Sequence, residues 1–149
     1  MISIQSIMTH DHKRCDNIFA QAENFAMTQD WDNTCMMTNK FHQILEQHFK
    51  QEEDILFPAF ENATGMTQGP TMVMRHEHQQ MRELLNELVK AAIDKNSDRY
   101  FGLAETLHIF MQQHNMKEEQ ILYPMIDQEC SNDTEQLLSG FNTEQASVA

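Results

Sequence analysis

Apolar residues recur at three- and four-residue spacings through four long segments of the chain, as they do along one face of an α-helix. Polar or glycine-containing links separate these segments, and Pro70 stands where a first-turn proline opens a helix. We predict three helices from about Ile4 to Met27, from Asp32 to about Asn62, and from Pro70 to about Asn96. A fourth helix, which Ser97 would cap, is predicted to run to about Glu129.

Four helices with short links predict an all-α fold, an up-down-up-down four-helix bundle. The chain has 149 residues, with only 4 Gly and 3 Pro, and valine is rare. This scarcity of β-branched and turn residues argues against a β-sandwich or a doubly wound sheet. We predict one helical domain over residues 1–130. Residues 131–149 are polar, and we predict that they form a loosely ordered tail.

All eight histidines fall on one another when the sequence is shifted by 66 residues. The pairs are His10 with His76, His12 with His78, His42 with His108, and His48 with His114. The segments at 48–58 and 114–124 share the pattern H-x-x-x-E-E-x-I-L-[FY]-P. We predict a two-fold internal repeat in which each half is a helical hairpin, and the halves pair to bury their apolar faces.

Helical spacing places four of these histidines and two glutamates on the apolar stripes, because residues three or four apart share a face. The inward set is His12, His48, Glu52, His78, His114 and Glu118. His10 and His76 lie two residues from an inward histidine, about 200° round the helix. We expect these two side chains to face outward or to lie at a helix end.

Two carboxylates and four imidazoles in an apolar core need compensation, because a buried unpaired carboxylate is costly and facing carboxylates repel. Imidazole nitrogen and carboxylate oxygen suit divalent first-row metals, and a carboxylate can bridge two of them. We therefore predict a metal site in the core. The alternative is a metal-free network of His–Glu ion pairs, although such pairs usually lie on the solvated face of a helix.

The order of these residues resembles that of the hemerythrin-like (HHE) cation-binding proteins. Their signature is an early histidine, then H-x-x-x-E-E-x-x-L-F-P, a third-helix histidine, and a second H-x-x-x-E before an apolar–proline element. It appears here as His12, His48 with Glu52, His78, and His114 with Glu118. The resemblance covers about residues 5–126 and implies a non-haem di-iron centre inside a four-helix bundle.

The resemblance also implies roles for the six residues. The four histidines would be terminal ligands, and Glu52 and Glu118 would bridge two iron ions beside an oxo or hydroxo group. Each iron would keep one open position for O₂, NO or peroxide. Which two histidines share an iron stays open at this stage.

Met74 occupies the position, one turn before His78, where oxygen-carrying hemerythrins have a fifth histidine. Four histidines and two glutamates are more similar to the di-iron domain of bacterial iron–sulfur-cluster repair proteins. Those proteins also have a small N-terminal cysteine-bearing domain, whereas this sequence begins at its first helix. The resemblance implies binding of O₂, NO or peroxide in sensing, stress response or iron handling. The alternatives are repair of damaged iron–sulfur clusters or NO detoxification, and a structural metal-binding bundle without chemistry.

Four residues near the predicted ligands have two interpretations each. Glu53 and Glu119 follow the predicted bridging glutamates, and they either accept a hydrogen bond from a ligand imidazole or are solvated. His42 and His108 lie six residues before a predicted ligand, about 120° off the stripe. They either hydrogen-bond a bridging glutamate or lie on the helix flank.

Charge and cysteine content limit the classes of binding partner and the cellular compartment that we predict. The net charge of −13 disfavours binding to nucleic acid and to anionic membrane surfaces, because both present phosphate groups. No apolar run approaches the roughly 20 residues that span a bilayer, and no signal-peptide pattern is visible. Three cysteines without a close pair exclude a disulfide scaffold, and they predict a reduced, cytoplasmic setting.

Overall fold

A computed structural model of the protein describes residues 2–141, and it contains helices and turns but no strand within that range. The helices are α1 (Ile4–Met27), α2 (Trp31–Gln51), α3 (Phe57–Thr64), α4 (Pro70–Ile93), α5 (Ser97–Lys117), α6 (Tyr123–Glu129) and α7 (Thr134–Leu138). Two five-residue π-helical segments, Glu52–Leu56 and Glu118–Leu122, join α2 to α3 and α5 to α6. The all-α class predicted from the sequence is confirmed.

Polar side chains cap the N-termini of three long helices, because the first backbone N–H groups of a helix have no partner within it. The side chains of Ser3, Asp30 and Asn96 accept hydrogen bonds at the starts of α1, α2 and α5. Ser97 was predicted as the last of these caps, but Asn96 takes the role and Ser97 is the first helical residue. The helix α4 begins at Pro70, as predicted.

The π-helical segments correct the prediction of two uninterrupted α-helices. Each begins at the glutamate that lies four residues after an inward histidine. The N–H groups of Phe57 and Tyr123 donate to the carbonyls of Glu52 and Glu118, five residues earlier. This wider turn holds one more residue than an α-helical turn, so it changes the face that the following residues present. Phe57 and Tyr123 are thereby fully buried.

The four long helices pack around a common core. The helix α1 contacts α2 and α5, and α4 also contacts α2 and α5. Two apolar clusters fill this core: one includes Phe19, Phe41 and Leu107, and the other includes Ile4 and Phe60. Along each long helix, an inward histidine or glutamate separates the residues of one cluster from those of the other. The predicted ligands therefore form a polar layer between two apolar ones.

The predicted C-terminal tail is described as far as residue 141. This part contains α7, and Phe141 is buried in the apolar cluster of Ile4 and Phe60. Residues 142–149 lie outside the described residues, and the domain boundary at residue 130 stays a prediction. No helix in the described range has the length and hydropathy needed to cross a membrane.

Candidate metal centre

The six side chains predicted to face the core meet in one buried cluster. Each long helix contributes one histidine: His12 from α1, His48 from α2, His78 from α4 and His114 from α5. Glu52 and Glu118 are the first residues of the two π-helical segments. None of the six is more than 3% exposed.

The four imidazoles form two pairs, which the sequence alone did not reveal. The Nε2 atoms of His12 and His48 lie 3.1 Å apart. The rings of His78 and His114 have their centroids 5.0 Å apart. Ligand atoms of His12, His48 and Glu118 lie within 4.8 Å of one another, and so do those of Glu52, His78, His114 and Glu118.

The two glutamates lie between these pairs. Oε1 of Glu118 is 3.2 Å from Nε2 of His12 and 3.2 Å from Nε2 of His114. Oε1 of Glu52 is 3.4 Å from Nε2 of His48 and 3.2 Å from Nε2 of His78. Each carboxylate therefore contacts one imidazole of each pair, which is the placement that a bridge between two cations requires.

Unpaired polar atoms show that this cluster fits a metal. Nε2 of His78, Nε2 of His114, Oε1 of Glu52 and Oε2 of Glu118 are buried without a hydrogen-bond partner among the described residues. Each such atom costs about 1–3 kcal/mol unless something satisfies it. Imidazole nitrogen and carboxylate oxygen are ligands for divalent first-row cations. A cation at this position would satisfy them together.

Outer carboxylates hold the far side of all four imidazoles. The Nδ1 atoms of His12, His48, His78 and His114 lie 2.7, 2.7, 2.7 and 2.8 Å from Glu119, Asp11, Glu53 and Glu77, respectively. An imidazole that donates from Nδ1 keeps its Nε2 lone pair for a metal, and the carboxylate sets the ring orientation. Glu53 and Glu119 thus lie in the hydrogen-bonding position that was one of their two interpretations.

Asp11 and Glu77 were missed in the sequence, although they lie between the histidines of the two repeated doublets. A residue next to an inward one is rotated about 100° round the helix, so it was not expected to reach the site. Asp11 on α1 instead contacts His48 on α2, and Glu77 on α4 contacts His114 on α5. The matching offset of 66 residues between Asp11 and Glu77 was the available signal.

Three of the outer carboxylates are themselves bound by cationic side chains. Arg14 pairs with Asp11, Lys117 with Glu77, and Arg82 with Glu53. Burial opposes ionisation of Glu53, but hydrogen bonds from His78 and Arg82 outweigh it and lower its pKa to about 2. Glu119 has no lysine or arginine within ion-pair distance in the described part of the chain.

Tyr123 brings a hydroxyl group into the cluster. This residue was not predicted from the sequence to lie there. Its Oη atom lies 2.7 Å from Oε2 of Glu52 and 3.0 Å from Oε1 of Glu118. The same oxygen lies 3.1 Å from Nε2 of His12 and 3.4 Å from Nε2 of His48. The only sequence signal was the mixed Phe/Tyr position in the repeated motif.

The other four histidines lie away from this cluster. His10 and His76 are exposed, as predicted. His42 is half-buried, and His108 is exposed with its ring centroid 6.4 Å from that of Phe19. Within residues 2–141, no hydrogen bond joins His42 or His108 to Glu52 or Glu118, so both histidines lie on the helix flanks.

Two relatives extend these observations. The chain is 26% identical over 135 residues to an uncharacterised hemerythrin-like protein of Schizosaccharomyces pombe. The aligned region covers 89% of this chain and 64% of that protein. It is 31% identical over 97 residues to the iron–sulfur cluster repair protein YtfE of Edwardsiella ictaluri. That aligned region covers 58% of this chain and 43% of the repair protein. The chain thus spans less than two thirds of the length of either relative. No solved structure matches it.

The family comparison covers most of the helical part of the chain. The family model described as the hemerythrin HHE cation-binding domain matches residues 3–126. This range includes all six inward residues and the four outer carboxylates. The resemblance inferred from the sequence is confirmed, and this chain belongs to the hemerythrin HHE cation-binding domain family.

Proposed function

We propose that this protein is a non-haem di-iron protein that binds a small ligand (O₂, NO or peroxide) in sensing, stress response or iron handling. The observation that carries the proposal is the pair of two-histidine groups joined by two buried carboxylates. In this proposal His12 and His48 would hold one iron, His78 and His114 would hold the other, and Glu52 and Glu118 would bridge both. The family resemblance implies that an oxo or hydroxo group would complete the bridge.

The contacts also support the finer fold prediction, which is an up-down-up-down bundle built from a two-fold repeat. The contact of His12 with Glu119 corresponds to that of His78 with Glu53 after the 66-residue shift. The contact of His48 with Asp11 corresponds in the same way to that of His114 with Glu77. A repeat that preserves contacts as well as residue types is expected if two hairpins pair about a shared centre.

The chain's own residues would supply orientation and a dry environment. The outer carboxylates fix the imidazole rings, and Phe49 stacks on His78 with a centroid distance of 4.0 Å. Apolar layers above and below keep bulk water from the cluster. The bound irons would supply redox chemistry and open positions for the small ligand.

The proposal is tested with the diferrous protein under anaerobic conditions. We expect addition of O₂ or NO to produce a new absorption band that disappears when the ligand is removed. Rapid, irreversible conversion to a diferric form would favour oxidation chemistry over reversible binding. An iron-loaded protein whose spectrum does not respond to O₂, NO or peroxide would contradict the proposal and favour a structural metal-binding bundle.

Repair of iron–sulfur clusters, or NO detoxification, is the second candidate function. The similarity to the repair protein of Edwardsiella ictaluri favours it. The test is reactivation of an iron–sulfur enzyme that has been damaged by NO or peroxide, with the iron-loaded protein compared with free iron at equal concentration. Recovery above that of free iron would support repair, and equal recovery would exclude it. The cytoplasmic location and the absence of nucleic-acid partners stay predictions.

Removing an outer carboxylate should weaken metal binding without removing a ligand. We expect Glu53→Gln to lower metal affinity by about 10–100-fold, because the ring of His78 loses its ionic hydrogen-bond acceptor. Competition with a chromophoric chelator measures the change. Glu105→Gln, on the exposed surface of α5, is the matched control and should bind metal with the affinity of the unaltered chain. Equal affinities for the two variants would contradict the assigned role of Glu53.

Metal uptake should release protons. Burial opposes a positive charge on His12, but hydrogen bonds to Glu118 and Glu119 outweigh it and raise its pKa to about 9. Burial likewise opposes charge on His114, yet the nearby negative charge of Glu118 and the hydrogen bond to Glu77 raise its pKa to about 10. Near neutral pH both imidazoles are therefore doubly protonated and positively charged in the metal-free protein. A metal that binds them must displace one proton from each ring.

Titration calorimetry measures this release when it is repeated in two buffers with different ionisation enthalpies. We expect the apparent heat to differ between the buffers near neutral pH. The difference should shrink as the pH rises through the two raised pKa values, because the histidines are then already neutral. Heats that agree between buffers near neutral pH would contradict this prediction.

A further inference from the structure

The two halves of the cluster differ at one position of the repeated motif. Tyr123 and Phe57 occupy equivalent places 66 residues apart, and both side chains are fully buried. The ring of Phe57 lies beside His78, with a centroid distance of 5.8 Å. The hydroxyl of Tyr123 instead lies beside His12 and His48. Only one of the two histidine pairs therefore has a phenol next to it.

The hydroxyl of Tyr123 has more close partners than its own hydrogen bonds explain. A phenol carries one proton and donates one hydrogen bond. Here the oxygen lies within 3.4 Å of two carboxylate oxygens and two imidazole nitrogens. A single O–H group donates to one of the two carboxylates at a time. A phenol oxygen also accepts hydrogen bonds, so a protonated imidazole can donate to it, but one donated and two accepted bonds do not account for four partners. The close approach of four polar atoms to this oxygen is typical of atoms that surround a common cation.

The distances from the hydroxyl oxygen of Tyr123 to these atoms match those between neighbouring ligands of one metal ion. Ligand atoms about 2.1 Å from a six-coordinate first-row cation lie about 3.0 Å apart along each octahedral edge. Oη of Tyr123 is 2.7, 3.0, 3.1 and 3.4 Å from Glu52, Glu118, His12 and His48. Nε2 of His12 is 3.1 Å from Nε2 of His48 and 3.2 Å from Oε1 of Glu118.

We propose that Tyr123 is a further metal ligand, and that its phenolate oxygen binds the cation held by His12 and His48. Coordination replaces the O–H bond by a metal–oxygen bond, and the proton leaves to the buffer. The cation held by His78 and His114 has no such ligand, because Phe57 occupies the equivalent position. The two iron positions are then unequal, and the open position for a small ligand belongs to the His78 and His114 side. This inference rests on the proposed function.

The tyrosine content of the chain makes the inference testable by spectroscopy. The chain has 2 Tyr, and the other is Tyr100, which lies in the apolar cluster of Phe19 and Phe41 with its hydroxyl 2.9 Å from that of Thr38. In Tyr100→Phe, Tyr123 is the single tyrosine. Any tyrosine signal from that variant therefore comes from Tyr123.

The experiment uses the full chain loaded with ferric iron. We expect a visible phenolate-to-iron charge-transfer band in the unaltered chain and in Tyr100→Phe, with resonance Raman ring modes that shift when ring-deuterated tyrosine is incorporated. Tyr123→Phe should lose the band entirely while it keeps about two irons per chain. Loss of the band in Tyr100→Phe, or its survival in Tyr123→Phe, would overturn the inference.

Iron content separates failure of this inference from failure of the proposed function. A chain that holds about two irons but shows no tyrosine-dependent band would overturn only the Tyr123 ligand. A chain that takes up no iron under supplemented expression would overturn both. If Tyr123→Phe itself fails to fold, the isotope shift in Tyr100→Phe still decides the question, because that variant keeps the tyrosine at 123.

Discussion

Glu118→Ala should abolish iron binding at both positions, lowering the content from about two ions per chain to nearly none. Oε1 of Glu118 lies 3.2 Å from an imidazole of each histidine pair. Under the proposed function, its loss would therefore remove a ligand from both cations at once. It also leaves protonatable histidines facing each other in an apolar core, which further disfavours the assembled site.

Metal analysis after iron-supplemented expression and desalting measures this effect. His78→Ala offers a graded comparison, because it removes a ligand from one pair and should leave iron at the other. Glu105→Ala, on the exposed face of α5, is the matched control and should retain the full content. Iron content in Glu118→Ala equal to that of the unaltered chain would show that the cluster is not the metal site.

Removing the metal should destabilise the fold substantially. A ligand present at about 1,000 times its Kd stabilises the folded state by about 4 kcal/mol. For a chain of this size that corresponds to a fall in Tm of roughly 10 °C on chelation. The physical reason lies in the core, where Glu52 and Glu118 are fully buried and the metal-free chain must satisfy their charges with protons, histidines and the hydroxyl of Tyr123.

Thermal unfolding measures this shift. The iron-loaded and the metal-free protein are each unfolded in the presence and in the absence of a chelator. Glu118→Ala provides the control, because a variant without metal should show the same Tm whether or not a chelator is present. A direct effect of the chelator on the protein would appear in both chains. Equal Tm values for the iron-loaded and metal-free unaltered chain would contradict the prediction.

The six inward residues could be predicted because their signals are local. His48 and Glu52 lie four residues apart on one helix face, among apolar residues at the same spacing. The 66-residue repeat pairs all eight histidines, and helical spacing then separates the four inward ones from the others. The structure brings all six together, and their role as metal ligands stays a prediction that the variants above test.

The residues that the sequence analysis missed act across helices or through local backbone geometry. Asp11 reaches a histidine on the next helix, and a spacing rule within one helix does not describe such a contact. Tyr123 enters the cluster because a π-helical segment precedes it, and an apolar pattern read at 3.6 residues per turn does not anticipate that wider turn.

The sequence by itself determined that the chain is helical and which histidines and glutamates face the core. Helical periodicity and internal repetition are both written in the spacing of residue types. Only the tertiary structure decided that His12 pairs with His48 and His78 with His114. It also decided that four outer carboxylates hold the rings and that a single tyrosine makes the two halves unequal. These features depend on how neighbouring helices approach and rotate, and packing of the whole core sets that geometry.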